Sequence, residues 1–189
     1  AHAPALAQDA PREWLAWLDR LQKSVCARHL GTPLRDFVHD RAPLFAAGGD
    51  PRRATDDGVI RATYGDVRLL ANLGDVPRTF GGRSLPPYGF RAEAPGMTAG
   101  LASDGTGYVT ETAKGKTDLW LFAPSQASVC VPTPIQGKVR VTFDDGATFN
   151  SRLATDDLLR ITLPQRGNVK LIPPPVELAA LAPRDWPGD

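Results

Sequence analysis

Between Asp57 and Gly96 the sequence alternates short apolar-polar runs with turn residues, and this pattern constrains the fold more than any other feature of the chain. Val59 to Tyr64 alternates apolar and polar residues, Gly65-Asp66 forms a turn, and Val67 to Asn72 is the next predicted strand. Runs of this kind, interrupted by glycine and aspartate every eight to twelve residues or so, are typical of antiparallel strands. The stretch therefore predicts a succession of short, sequentially paired strands.

The same pattern continues beyond Met97, although the sequence itself does not repeat. With 18 glycines and 18 prolines the chain is rich in turn residues. Pro173-Pro174-Pro175 predicts the end of the sheet, and Val176 to Asp189 predicts a proline-rich tail along the surface. We therefore predict a mainly β protein, with an antiparallel β-sandwich-like region preceded by one amphipathic α-helix. The strands predicted in this half are 98–103, 107–113, 118–123, 128–131, 138–143, 147–153, 158–163 and 168–172.

One strong helix is predicted from Pro11 to Leu30, because apolar residues recur there at helical spacing. Asp9 can cap its start and Gly31 suits its end. Two tryptophans on one helix make a large apolar surface that needs a partner. We predict that this surface docks on another part of the protein through Trp14, Trp17, Leu18 and Leu21.

The chain divides into three predicted regions. Residues 1–50 form a helical segment and a linker, because Pro33, Pro43 and Pro51 interrupt any regular pattern after the helix. Residues 51–97 form a small antiparallel sheet. Residues 98–189 form the β-sandwich-like region with its proline-rich tail.

The charge balance gives no reason to propose a nucleic-acid partner, since 22 Lys and Arg residues against 21 Asp and Glu residues leave a net charge of +1. No window approaches about eighteen uninterrupted apolar residues, so no membrane span is predicted. Cys26 and Cys130 are predicted to be buried free thiols. One long-range disulfide between them is the alternative, although no cysteine framework supports it.

Candidate catalytic and metal-binding residues are sparse. The glutamates Glu13, Glu93, Glu111 and Glu177 give no plausible catalytic pair for glycoside hydrolysis. The three histidines have no metal-ligand spacing, so we expect no metal and no cofactor. Stacking on a sugar ring is the one binding interaction for which the sequence offers candidate residues, because a flat sheet face could present aromatic side chains. These candidates are Tyr64, Tyr108 and Trp120, for which packing in the core is the alternative.

Three segments occur in a characteristic order: Leu70-Ala71-Asn72, then Gly81-Gly82-Arg83, then Leu85-Pro86-Pro87-Tyr88-Gly89-Phe90. A tryptophan-rich helix containing Gln22 precedes them. Together they resemble the C-terminal β-domain region of barrel-type glycoside hydrolases, which comprises the last barrel helix and an accessory β-sandwich. The resemblance covers residues 11–97. It implies a structural role for these motifs and no catalytic residues within them.

The resemblance implies a non-catalytic accessory region of a carbohydrate-active enzyme, which packs against and stabilises the catalytic barrel of a parent chain. A polysaccharide is then a second expected partner, and a secreted or periplasmic location follows if the parent degrades polysaccharides. The alternative is a free-standing β-sandwich module that binds a carbohydrate or a protein. A purely structural β-sandwich of a surface or assembly protein is the third hypothesis.

Overall fold

The computed structural model describes residues 10–40, 58–80, 83–122, 128–132, 138–142, 148–152, 158–162 and 176–180. Its helical segment consists of α1 (Ala10–Leu21), a π-helical turn (Gln22–Cys26) and α2 (Ala27–His29). The strands that follow are β1 (Leu34–Asp40), β2 (Val59–Tyr64), β3 (Val67–Asn72), β4 (Arg78–Phe80), β5 (Arg83–Leu85), β6 (Phe90–Ala94), β7 (Met97–Leu101), β8 (Gly107–Ala113), β9 (Lys116–Phe122), β10 (Ser128–Pro132), β11 (Lys138–Thr142), β12 (Thr148–Arg152), β13 (Leu158–Thr162) and β14 (Val176–Ala180). The predicted class, mainly β with one amphipathic helical segment in front, is confirmed.

Most of the strands form a single antiparallel sheet in the order β1-β2-β3-β6-β7-β8-β9-β14-β11-β12. Two further pairs, β10 with β13 and β4 with β5, lie outside it. The β6–β7 hairpin pairs Ala94 with Met97. The predicted boundary near Met97 therefore falls within a hairpin, and the strands on both sides of it belong to one sheet rather than to two.

Two described strands lie where the sequence analysis predicts none. β1 lies within the predicted linker and pairs with β2, with an irregular register between Leu34 and Asp36. β14 lies within the predicted surface tail and pairs with both β9 and β11. Pro33 and Pro175 each precede one of these strands directly, a position where proline's missing N–H need not remove a ladder bond. Asp9, residues 41–57, the predicted strand 168–172 and residues 181–189 lie outside the described residues.

One face of the sheet is covered by the helical segment. Alternate residues of β6, β7 and β8 point to this face and bury their side chains under the helix, as the two-residue period of a strand requires. The helix contributes Trp17 and Val25 to this core, while Leu18 and Leu21 pack at its edge. The buried members supplied by the strands are Val67, Ala92, Met97, Ala99 and Val109.

Trp17 is the centre of this helix-side core, and it is only 6% exposed. Its ring lies 6.3 Å from the ring of Phe90 and 6.2 Å from that of Phe122, measured between centroids. It also lies directly over Gly107, where an added Cβ would stand 2.7 Å from Trp17 Cε2. The indole therefore occupies space that only a residue without a side chain leaves open.

The opposite face of the sheet carries a second core. Tyr108, Leu119 and Leu121 point to this side, because they alternate with the helix-facing residues of β8 and β9. The two-stranded sheet of β10 and β13 packs on this side and supplies a further layer of buried apolar side chains. The remaining members of this core are Val129, Val131, Val139, Val141, Leu159 and Ile161. This packing of strand layers gives the sandwich-like architecture.

The seating of Trp17 on Gly107 gives the first prediction. Trp17→Ala should lower the free energy of unfolding by about 3–5 kcal/mol, the usual range for a buried aromatic truncation. Gly107→Ala should cost about 1–3 kcal/mol, because its methyl group collides with the indole. Urea denaturation of both single variants and of the double variant measures the coupling between them.

In the Trp17→Ala background, Gly107→Ala should cost less than about 1 kcal/mol, since the collision is gone. Trp14→Ala is the matched control on the same helix and should cost about 1 kcal/mol or less, because Trp14 is half-exposed. Fully additive costs of the two substitutions would contradict the proposed contact.

Candidate functional site

Asn72 connects the two turns within the motif of residues 70–90, which are residues 73–77 and residues 86–89. Its side-chain Nδ2 donates hydrogen bonds to the carbonyl oxygens of Val76 at 2.8 Å and Pro86 at 2.9 Å. Its Oδ1 accepts a hydrogen bond from the Gly74 amide at 3.1 Å. Asn72 is buried, so these bonds satisfy backbone groups that water does not reach. The asparagine of the motif therefore has a structural role.

Backbone hydrogen bonds complete the connection between these turns. The Tyr88 amide donates to the Gly74 carbonyl at 3.0 Å, and the Gly89 amide donates to the Pro86 carbonyl at 2.9 Å. Tyr88 has a φ of 53°, the left-handed region that a tyrosine rarely adopts. Tyr88 is 68% exposed.

The predicted docking residues divide between the inside and the outside of the fold. Trp17, Leu18 and Leu21 pack on the sheet, whereas Trp14 remains 46% exposed. Seven large apolar side chains are exposed among the described residues, and five of them fall between residues 14 and 37. We call these five the N-terminal apolar set: Trp14, Leu15, Leu30, Leu34 and Phe37.

The three aromatic residues predicted to stack on a sugar do not share a surface. Tyr108 is only 2% exposed and belongs to the core on the face away from the helix, so it offers no free ring face. Trp120 points to the helix side, where the Arg20 guanidinium carbon lies 3.8 Å from its ring centroid. Tyr64 lies beside His29, with 5.2 Å between ring centroids. Sugar stacking by Tyr64 or Trp120 stays a prediction.

Arg20 also links the helix to the sheet electrostatically. It forms an ion pair with Glu111 of β8 while it stacks on Trp120. Burial lowers the pKa of Arg20 from its ordinary value, and the carboxylates of Asp118 and Asp19 oppose that shift. The guanidinium keeps its charge at any physiological pH.

The glutamates of the two central strands cannot act as one catalytic pair. Glu93 points to the face away from the helix and pairs with Arg91, whereas Glu111 points to the helix side and pairs with Arg20. The sheet itself separates the two carboxylates. Two carboxylates that cleave a glycosidic bond must flank one substrate.

The face away from the helix carries a groove of about 530 Å³ across β2, β3 and β6. We call it the arginine groove. Backbone pairing places Arg61 and Arg91 on either side of Leu70, and Arg68 two residues from Leu70 along β3. The ring of Phe80 lies 5.1 Å from the guanidinium carbon of Arg61. The groove is lined mainly by Asp36, Arg61, Arg68, Phe80, Arg91 and Glu93.

Other chemistry is scarce in the part of the chain that the structure describes. No cluster of three or more His, Cys, Asp or Glu side chains there could hold a metal ion. Cys26 and Cys130 are free thiols, both half-buried. No described helix has the length and apolar character needed to span a membrane.

Comparison with protein-family models, with curated proteins and with solved structures finds no match for this chain.

Sequence reasoning missed the arginine groove, although a signal for it is present. The two-residue connection Gly65-Asp66 fixes the β2–β3 register, which places Arg61 opposite Leu70 and Thr63 opposite Arg68. Reading each strand singly hides this arrangement, because the arginines gather only once the strands are paired.

The hydrogen bonds of Asn72 generate the second prediction. Asn72→Ala should lower the free energy of unfolding by about 3 kcal/mol, because buried backbone groups lose their partners. Asn72→Asp should be comparably destabilising at neutral pH, since a carboxylate cannot donate to the two carbonyls. Urea midpoints of the purified variants provide the measurement.

Thr79→Ala is the control, since Thr79 is exposed in the neighbouring β4 and its loss should change stability by about 0.5 kcal/mol at most. If Asn72→Asp were as stable as the unaltered chain, Asn72 would not tie the two turns together.

Proposed function

We propose that this chain is a non-catalytic accessory β-region of a carbohydrate-active enzyme, which packs against a catalytic barrel through the N-terminal apolar set. The observation that supports this proposal most directly is that five of the seven exposed large apolar side chains among the described residues lie between residues 14 and 37. Large exposed apolar groups on a protein surface mark sites of protein contact when they gather in one region. In the resembled enzymes the corresponding helix is the last helix of the barrel.

The internal role of the motif residues supports the same proposal. Asn72, Pro86 and Gly89 hold two turns together and present no reactive group. The charged partners of Glu93 and Glu111 are arginines on opposite faces of the sheet. These contacts suit a region that stabilises a larger enzyme and leaves the chemistry to another domain.

The third prediction tests the N-terminal apolar set. The purified chain should self-associate and bind the apolar dye anilinonaphthalene sulfonate, because Trp14 and Leu15 lack a partner surface. Replacing both by glutamine, a good helix former, should reduce dye binding and association by at least about twofold while changing stability by roughly 1 kcal/mol or less. Light scattering and dye fluorescence provide the measurements.

Val76→Gln is the matched control, because Val76 is an exposed apolar residue outside this segment. It should leave dye binding unchanged. A monomeric chain that binds no dye would contradict docking through this segment. Hydrolysis of an aryl glycoside, lost when Glu93 or Glu111 is replaced, would contradict the non-catalytic role.

The genomic sequence upstream of Ala1 tests the identity of the partner. The proposal expects a barrel in the same reading frame, with two acidic residues at strand ends. An unrelated domain at that place would leave a docking surface but remove the carbohydrate-active parent.

A second candidate function, a free-standing carbohydrate-binding module, is favoured by Tyr88. Its exposed ring is held in a left-handed backbone conformation by the bonds that connect the two turns. Backbone strain of this kind costs about 1–3 kcal/mol and is concentrated at binding and catalytic sites. A flat, exposed and positioned aromatic ring is suited to stacking on a sugar ring.

The fourth prediction separates this candidate from the first. If Tyr88 stacks on a sugar, Tyr88→Gly should weaken binding roughly tenfold without lowering stability, because glycine adopts a positive φ freely. Tyr88→Phe keeps the ring and should retain the affinity. A glycan array identifies the ligand, and calorimetry then compares the variants. Equal affinity of all three proteins would remove Tyr88 from the binding site.

A further inference from the structure

The arginine groove gathers three like charges within a small area. Arg61 and Arg91 both pair with Leu70, one from each side, and Arg68 lies diagonally from each of them across the strands. Diagonal neighbours in a sheet have Cβ atoms about 7–8 Å apart, which is within reach of an arginine side chain. Like charges at this separation repel each other, and the carboxylate in their midst is that of Glu93, which stands opposite Arg68 in the sheet register.

The described carboxylates compensate only part of this charge. Glu93 forms an ion pair with Arg91, whose side chain is 15% exposed and whose Nε is buried without a hydrogen-bond partner. Asp36 is exposed on β1, in register with Thr63. Arg61 and Arg68 form no ion pair with any described residue, so their donors are available to a ligand.

Phe80 makes the groove more than a charged surface. It lies against Arg61 from the β4–β5 hairpin, outside the main sheet, and so adds an apolar wall to the charged floor. A volume of about 530 Å³ falls within the range of small-molecule sites, which is about 300–1,000 Å³. A single inorganic anion would leave most of this volume unfilled.

We propose that the arginine groove binds an organic carboxylate, held by Arg61 and Arg68 and packed against Phe80. Guanidinium groups match carboxylates in charge and in the spacing of paired hydrogen bonds. Arg91, which forms an ion pair with Glu93, lines the groove beside Arg61 and Arg68. This site is independent of the N-terminal apolar set, so either proposal can fail without the other.

The test measures binding of three probes to the full chain by isothermal titration calorimetry. Trigalacturonate carries carboxylates on a sugar, its methyl ester is the same sugar without the charge, and citrate carries carboxylates without a sugar. Arg61→Gln and Arg68→Gln should each weaken binding of the preferred carboxylate roughly tenfold. Arg140→Gln, an exposed arginine on β11, is the matched control and should bind normally.

Each outcome decides the question. Binding of trigalacturonate but not of its ester supports the site and identifies an acidic saccharide, whereas binding of citrate alone supports the site and identifies a non-sugar acid. Absence of binding by both carboxylates overturns the proposal. Equal binding of the methyl ester, or full affinity of the Arg61 and Arg68 variants, overturns it as well.

A second measurement covers the case in which a variant does not fold. Backbone amide shifts of the unaltered chain, followed by nuclear magnetic resonance during titration, should move in β2, β3 and β6 and remain still in β11. Changes confined to other strands would show binding elsewhere and would overturn the assignment to this groove.

Discussion

The contact of Trp17 with Gly107 is the constraint on which the arrangement of the layers depends. The indole packs against Phe90 and Phe122 and lies directly over Gly107 of β8. Any side chain at position 107 would collide with it. This contact fixes the height and the direction of the helix over the central strands. The π-helical turn that follows still places Val25 in the same core, so the helical segment covers the sheet along its length.

Because the helix covers one face of the sheet, the second core lies on the opposite face. Tyr108 alternates with Val109 and therefore points away from Trp17 into the second core. Its hydroxyl would stand 3.1 Å from a Cβ at Gly100, the residue it pairs with on β7. Each face of the central strands therefore has a glycine beneath an aromatic side chain, Gly107 under Trp17 and Gly100 beside Tyr108 of the neighbouring strand.

The fold could be predicted from sequence where side-chain alternation and turn residues agree. β2, β3 and β8 have the predicted bounds, because each of these runs ends at a glycine-containing turn. β1 and β14 were missed because a proline directly before a strand looks like a break when the pairing partner is unknown. The arginine groove and the exposure of Tyr88 depend on register and on backbone conformation, which single-strand patterns do not contain.

The position of β14 has a consequence for how the chain is synthesised and folded. This strand lies between β9 and β11, yet it follows both in the sequence. Until residues 176–180 have been made, β9 and β11 are edge strands with unpaired amides and carbonyls. Open edges of this kind recruit strands from other molecules. A nascent chain or a proteolytic fragment that stops before Val176 therefore exposes two unpaired strand edges, β9 and β11, in the middle of the future sheet. Such a species is prone to aggregate until the chain is completed or degraded.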